Sequence, residues 1–325
     1  MTRAWSWGRP VGGVLILTVL VWRVGAGPFL DGVRSLDAWS LLAAMSITAL
    51  TTVASAWRWR TVARRLGIRL PLGTAVGAYY RSQFLNSALP GGVVGDVHRG
   101  VRHGLDAGDL SRGLRAVAWE RTAGQVVFVA LALVALLVLE SPVHGAMTWI
   151  APTAVVVGLC AVLVVRALPQ RGASRCSRIV RTVRGDVRDA LFDPRAWPVV
   201  VLSSVVVAAG HGTVFLVAAW TTGTDASVAL LLPLAMLVLL AMVVPLNVGG
   251  WGPREGMAAW AFAAAGLGAE QGVAAATAYG VMGLVATLPG AAVLGVDALR
   301  RSREPARSEP RQATSNPSRT SSPAR

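Results

Sequence analysis

Apolar stretches approaching 20 residues recur along the sequence, separated by short connections in which arginines gather. A run of that length matches a helix crossing a hydrocarbon core of about 30 Å. In lipid every backbone N–H and C=O must be bonded within the structure, so a chain of this pattern folds as a bundle of membrane helices. The composition agrees: of 325 residues 54% are hydrophobic and only 14% charged, against about 25% charged in soluble domains. That much apolar surface also excludes disorder for most of the chain. The expected fold class is all-α, a polytopic integral membrane protein.

The net charge of +15 comes from 31 basic and 16 acidic residues, and every basic residue is arginine. Such a balance suits nucleic acid in a soluble protein. Here the arginines cluster between apolar spans, which points instead to topology and to anionic lipid headgroups; no nucleic-acid partner is expected. Spans are expected at about Val11–Val24, Trp39–Trp57, 114–139, 147–168, 197–220, 227–245, 246–268 and 271–297, about eight membrane segments in all. The first, behind Arg3 and Arg9, resembles a signal peptide with Val24-Gly25-Ala26 as a weak cleavage site; with further spans following at once, it reads as an uncleaved helix. The arginine-rich stretches 58–71 and 166–195 place both termini in the cytoplasm, and the arginine-free loops at Glu140–Gly145 and Thr221–Ser227 outside. Residues 72–113 must then enter and leave on the cytoplasmic side, as a re-entrant element. Within 169–195, Ile179, Val183, Val187 and Leu191 share a helical face free of Arg178, Arg181, Arg184 and Arg188. That pattern fits an amphipathic helix on the membrane surface or a solvated connector. Residues 1–299 form the transmembrane domain, and 300–325, rich in Arg, Ser and Pro, a disordered cytoplasmic tail.

Two interrupted segments read alike and suggest an internal repeat. One runs Asn86-Ser87-Ala88-Leu89-Pro90-Gly91-Gly92-Val93-Val94-Gly95-Asp96-Val97-His98-Arg99, the other Pro245-Leu246-Asn247-Val248-Gly249-Gly250-Trp251-Gly252-Pro253-Arg254-Glu255. Each sets a proline and a Gly-Gly pair before another glycine, then a carboxylate and an arginine. Non-helical backbone at membrane depth survives only where protein buries it or water reaches it, and paired Gly/Pro breaks in two halves of a membrane protein point to a transport site. The plainer alternative is a kink between packed helices. Charges sharpen the case, because each costs about 2.5–3.5 kcal/mol at the bilayer centre: Asp96 and Arg99 follow one break, Arg254 and Glu255 the other, and Glu120-Arg121 opens a span, where an interfacial pair is the alternative. Arg81 and Arg99 could supply cations to a phosphate cradled by Pro90–Gly95.

Other chemistry is thin. His98 and His103 are spaced wrongly for a helical ligand pair, and no acidic group completes a zinc set. Cys160 and Cys176 form no CxxC pair. With no Gly-x-Ser-x-Gly elbow and no lysine for a phosphate loop, neither an enzyme nor a cofactor is expected.

At these residues the sequence resembles the lysylphosphatidylglycerol synthase transmembrane-region family, also called flippase-like membrane proteins. The likeness rests on Asn86…Leu89-Pro90-Gly91-Gly92…Gly95-Asp96…Arg99, on Glu120-Arg121, and on Gly249-Gly250…Gly252…Arg254-Glu255, over roughly residues 8–298. It implies translocation of a phospholipid or lipid-linked substrate across the plasma membrane, with anionic or aminoacylated phospholipid as partner. No synthase domain is expected here. A lipid-synthesis enzyme remains open as a partner, and so does a homo-oligomer. Expected substrate-binding residues are Arg81, Asn86, Pro90, Gly91, Gly92, Gly95, Asp96, Arg99, Glu120, Arg121, Asn247, Gly249, Gly250, Gly252, Arg254 and Glu255. In this reading Arg99 and Arg254 bind phosphate, while Asp96, Glu120 and Glu255 hold those arginines or attract a cationic headgroup. The competing function is a non-transporting accessory protein that recruits envelope enzymes through its arginine-rich faces.

Overall fold

A computed structural model describes residues 15–89, 92–167, 175–191, 193–243 and 251–303, and among these the regular structure is helical. Four helices are long and apolar enough to cross a membrane: α3 (Ala38–Arg65), α6 (Leu110–Val138), α9 (Trp197–Thr221), and the continuous span Ala269–Asp297 made by α12 (Ala269–Thr287) and α13 (Pro289–Arg303). A fifth crossing arises if α1 (Leu15–Val24) and α2 (Gly27–Arg34), bent by 96° at their break, count as one. The bend falls at Gly25, whose φ of 86° no ordinary side chain adopts cheaply. Helix α7 (His144–Ala167) is apolar over His144–Cys160.

Helix ends follow local chemistry. Asp37 accepts the Ser40 amide at 2.7 Å while the Ser40 hydroxyl takes the Asp37 N–H, a capping box that starts α3. Asp109 accepts from the Arg112 amide to start α6, so this helix begins earlier than the expected 114. Helix α8 (Arg175–Asp186) carries exposed Arg178 and Arg181 opposite buried Ser177 and Val180. It is amphipathic, and Asp186 at its end is bound by Arg115 and by the Trp119 indole. The Ile179 and Leu191 side chains of the expected apolar face lie outside the described residues.

The expected count of about eight full segments changes at the second break. Helix α10 (Val228–Ala241) has 14 residues and α11 (Pro253–Ala264) has 12, lengths of about 21 and 18 Å. Neither alone spans a core of about 30 Å, so the spans expected at 227–245 and 246–268 are two half-length helices. The first break has the same form. Helix α4 (Leu72–Ala88) and α5 (Val94–Asp106), separated by five residues, pack against one another. Proline at N1 of α11 and the positive φ of Gly252 (111°) set the entry angle after the second turn.

Inter-helix surfaces are made of small residues. Ala56, Ala63, Ala75, Ala116, Ala235, Ala258 and Ala275 are buried, whereas Leu50, Val126, Val134, Trp149 and Val155 face outward. In lipid this is the expected arrangement, since close backbone approach rather than apolar burial holds helices together. Several seams are so tight that a Cβ would collide with backbone. Gly95 lies on Ser82 of α4, Gly113 on Gly104, and Gly290 of α13 on Tyr80; in the other half Gly272 lies on Ala258 and Gly32 on Ala274. Helix α13 runs to Arg303, past the expected domain boundary at 299. The first part of the expected first span and the tail from 304 onward lie outside the described residues.

Candidate functional site

Residues flanking both breaks line one cavity of about 400 Å³. From the first half it is lined by Tyr79, Gln83, Asn86 and Ser87 of α4 and by Gly92 in the turn. From the second come Trp251 at the turn, Arg254 at the start of α11, and Tyr279 and Gly280 of α12. The remaining wall comes from α3 (Thr48, Ser55, Arg58), α6 (Arg121, Gln125, Phe128), α9 (Ser204, His211, with apolar Val207 and Val214) and the end of α10 (Leu239, Met242, Val243). The chamber is of mixed character, with guanidinium groups, hydroxyls and amides set among apolar side chains, and residues flanking both breaks, Gly92 and Trp251, reach it.

Behind the α4–α6 wall lies a closed ion network. Glu120 is fully buried. Its Oε1 accepts from Arg58 Nε (2.9 Å), Arg58 Nη2 (2.6 Å) and the Tyr79 hydroxyl (3.1 Å), and its Oε2 from Arg99 Nη2 (3.1 Å). Asp96 accepts from Arg99 (3.0 Å), the Ser82 hydroxyl (3.0 Å), the Asn86 amide (3.0 Å) and Arg121 Nη2 (2.6 Å). Arg58 also donates to the Ser204 hydroxyl at 2.9 Å, tying α9 in. Arg99, 1% exposed, is sandwiched with its guanidinium carbon 4.4 Å from the Trp59 ring centre and 4.1 Å from that of Tyr79. Three arginines against two carboxylates leave one positive charge in excess. Most of it is presented by Arg121, whose side chain remains 43% exposed toward the chamber.

The second hairpin repeats the device on a smaller scale. Glu255, fully buried, reaches back to accept the Gly252 N–H at 2.7 Å, and Arg254 closes on the same carboxylate through Nε at 2.8 Å and through Nη2. The Arg254 guanidinium lies 4.7 Å from the Trp251 ring centre and 5.6 Å from that of Tyr279. It also rests on Gly280, where a Cβ would strike it at 2.2 Å. Tyr279 and His211 Nδ1 are 3.0 Å apart.

Of the expected site residues, Asn86, Gly92, Arg121 and Arg254 reach the cavity. Asp96, Arg99, Glu120, Gly252 and Glu255 stand behind it as supports. Arg99 in particular faces carboxylates and aromatic rings rather than the chamber, so the geometry gives it no access to a headgroup. Gly95 seats α5 on α4, and its N–H is already held by Asn86 Oδ1 at 2.7 Å. Arg81 lies elsewhere: with Arg102 it clamps Asp297 of α13 at 2.5 and 2.7 Å. The phosphate cradle expected from Arg81, Arg99 and the Pro90–Gly95 amides is therefore not assembled around the described residues. Glu120 sits about 15 Å along α6 from Leu110, and it is fully buried among Arg58, Arg99 and Tyr79 rather than exposed at the helix end. Pro90, Gly91, Asn247, Gly249 and Gly250 lie outside the described residues.

Sequence reasoning missed Arg58, Tyr79, Gln83, Ser204, His211, Trp251 and Tyr279. Arg58 heads the run Arg58, Arg60, Arg64, Arg65, Arg69 and so reads as interfacial. The available signal was its helical stripe with Thr48, Thr51, Thr52 and Ser55, all buried polar residues on one face. Among the described residues no group of His, Cys, Asp and Glu could hold a metal ion.

A family model described as "Lysylphosphatidylglycerol synthase TM region" matches residues 10–290. A search of curated proteins returned no match.

Proposed function

The chain belongs to the lysylphosphatidylglycerol synthase transmembrane-region family, and from that premise we propose that it moves a phospholipid or lipid-linked headgroup between leaflets of the plasma membrane. One observation carries this reading: residues flanking the breaks in both halves of the chain line a single cavity that presents guanidinium groups. Arg121 and Arg254 hold the headgroup phosphate, a task suited to planar, permanently charged donors. Asp96, Glu120 and Glu255 fix those arginines and their neighbours, so the cavity keeps its shape when empty. The hydroxyls and amides of Thr48, Ser55, Asn86 and Gln125 take the remaining polar groups. In this reading the arginine-rich connections and both termini face the cytoplasm, the α4–α5 hairpin enters from that side, and α10–α11 enters from the opposite one.

Leaflet exchange of a labelled phospholipid in proteoliposomes tests the proposal. Exchange should rise above that of protein-free vesicles and fall in Arg254→Gln and Arg121→Gln at equal protein incorporation. Unchanged exchange in both variants overturns the site.

A second reading has its own observation. Helix α8 presents exposed Arg178 and Arg181 while Asp186 anchors it to α6, a surface suited to recruiting an acidic partner. Charge reversal at Arg178 and Arg181 should then disturb function more than Arg254→Gln does.

A further inference from the structure

Every charged group that lines the cavity is basic. Arg58, Arg121 and Arg254 contribute guanidinium groups, and among the described residues no aspartate or glutamate reaches the surface of the chamber. The undescribed residues of the two turns, 90–91 and 244–250, contain no acid either. All three nearby carboxylates are turned away and occupied: Glu120 by Arg58, Arg99 and Tyr79, Asp96 by Arg99, Arg121, Ser82 and Asn86, and Glu255 by Arg254 and the Gly252 amide.

An ammonium group entering this chamber could also be received by an aromatic face. Of the four rings on the described wall, all but Phe128 already carry a guanidinium. Tyr79 carries Arg99, while Trp251 and Tyr279 carry Arg254. A cationic headgroup would therefore meet like charge with no carboxylate among the described lining residues, and Phe128 as the one ring not already holding a guanidinium. Specificity arises as readily from such repulsion as from attraction. The groups that remain on offer are the exposed part of Arg121, the cavity edge of Arg254, and neutral donors and acceptors such as Ser55 and Gln125.

We propose that the chamber selects lipids whose headgroup joins a phosphate to neutral hydroxyls, a polyol or sugar, and rejects aminoacylated headgroups carrying a free ammonium. The selectivity is a property of the cavity and is read in binding; its appearance in transport rests on the translocator reading above.

The test uses the full chain with three labelled probes that differ in headgroup: phosphatidylglycerol, phosphatidylinositol and lysyl-phosphatidylglycerol. Binding is read by native mass spectrometry from detergent, and exchange in phosphatidylcholine vesicles. Phosphatidylglycerol and phosphatidylinositol should each be favoured over the lysyl lipid by about tenfold or more. Gln125→Glu, which puts a carboxylate on the cavity wall at near-constant shape, should narrow or reverse that preference. Equal or tighter binding of the lysyl lipid by the unmodified chain overturns the proposal, as does failure to bind any of the three. Exchange of all three lipids without preference overturns it while leaving the translocator reading standing. The expected order in binding, with no exchange of any probe, supports the selectivity and overturns translocation.

Discussion

Arg58 and Glu120, 62 residues apart in the chain, meet across α3 and α6 with two guanidinium nitrogens on the same carboxylate oxygen at 2.9 and 2.6 Å. Arg99 holds the other oxygen, so one buried acid joins three helices. Replacing Glu120 by Gln leaves two buried guanidinium groups facing a neutral amide. Breaking a buried pair in this way costs about 3–5 kcal/mol. A large fall in the thermal midpoint of the detergent-solubilised protein is expected, and a midpoint equal to that of the unmodified chain would contradict the network.

Arg99 and Arg121 both bind Asp96 but should respond differently. Arg99→Gln removes the charge from a fully buried position and should destabilise by about 3–5 kcal/mol. Arg121 is partly open to the chamber, so Arg121→Gln should change stability by no more than about 1 kcal/mol. Its loss should instead lower lipid exchange about tenfold, the worth of a charge-assisted hydrogen bond to phosphate. Thermal midpoint and exchange rate, measured on the same two preparations, separate support from contact.

Gly95→Ala places a methyl 2.0 Å from the Ser82 carbonyl oxygen, whereas Gly77 on the same hairpin has open space around it. The first substitution must part α4 from α5 and should cost about 1–3 kcal/mol. Gly77→Ala should be neutral or mildly stabilising, as alanine is the better helix former. Similar midpoints for the two variants would argue against the tight hairpin.

At the entry to α3, the Ser40 backbone amide first, and then its hydroxyl, hold the Asp37 carboxyl below its ordinary value of 3.8. Because the folded value is depressed, the cap is complete above the ordinary value and is lost as pH falls through the lowered one. Hydrogen exchange at the Ala38–Leu41 amides should be pH-sensitive beyond intrinsic chemistry only in that acidic range. Asp37→Asn, which still accepts a hydrogen bond, should remove the pH dependence while retaining most of the protection.

How much of this was legible in the sequence depended on which signals are local. The two breaks were legible because proline and paired glycines interrupt helices wherever they occur, and the long spans because length and hydropathy suffice. Half-length helices at the second break were not, since 227–245 and 246–268 are each apolar enough to pass as a full crossing. Arg58 was hidden by position, at the edge of an arginine run whose other members suit the interface. Arg99 stood out in the sequence as a charge beside the first break, expected to bind phosphate, whereas its contacts are to Asp96, Glu120, Trp59 and Tyr79. Sequence alone cannot say that Tyr79 and Trp59 close over its two faces from different helices.

The glycine seams divide the bundle unequally. Helices α4, α5, α6 and α13 interlock through Gly95, Gly113 and Gly290, while α2, α11 and α12 interlock through Gly32 and Gly272. Backbones touching at such points cannot slip past one another by degrees, so each group behaves as a solid piece. The chamber has walls from both groups, and the chain passes from one group to the other at Leu288, between α12 and α13. An opening of the chamber that kept both sets of seams closed would have to shift α2, α11 and α12 as one against α4, α5, α6 and α13.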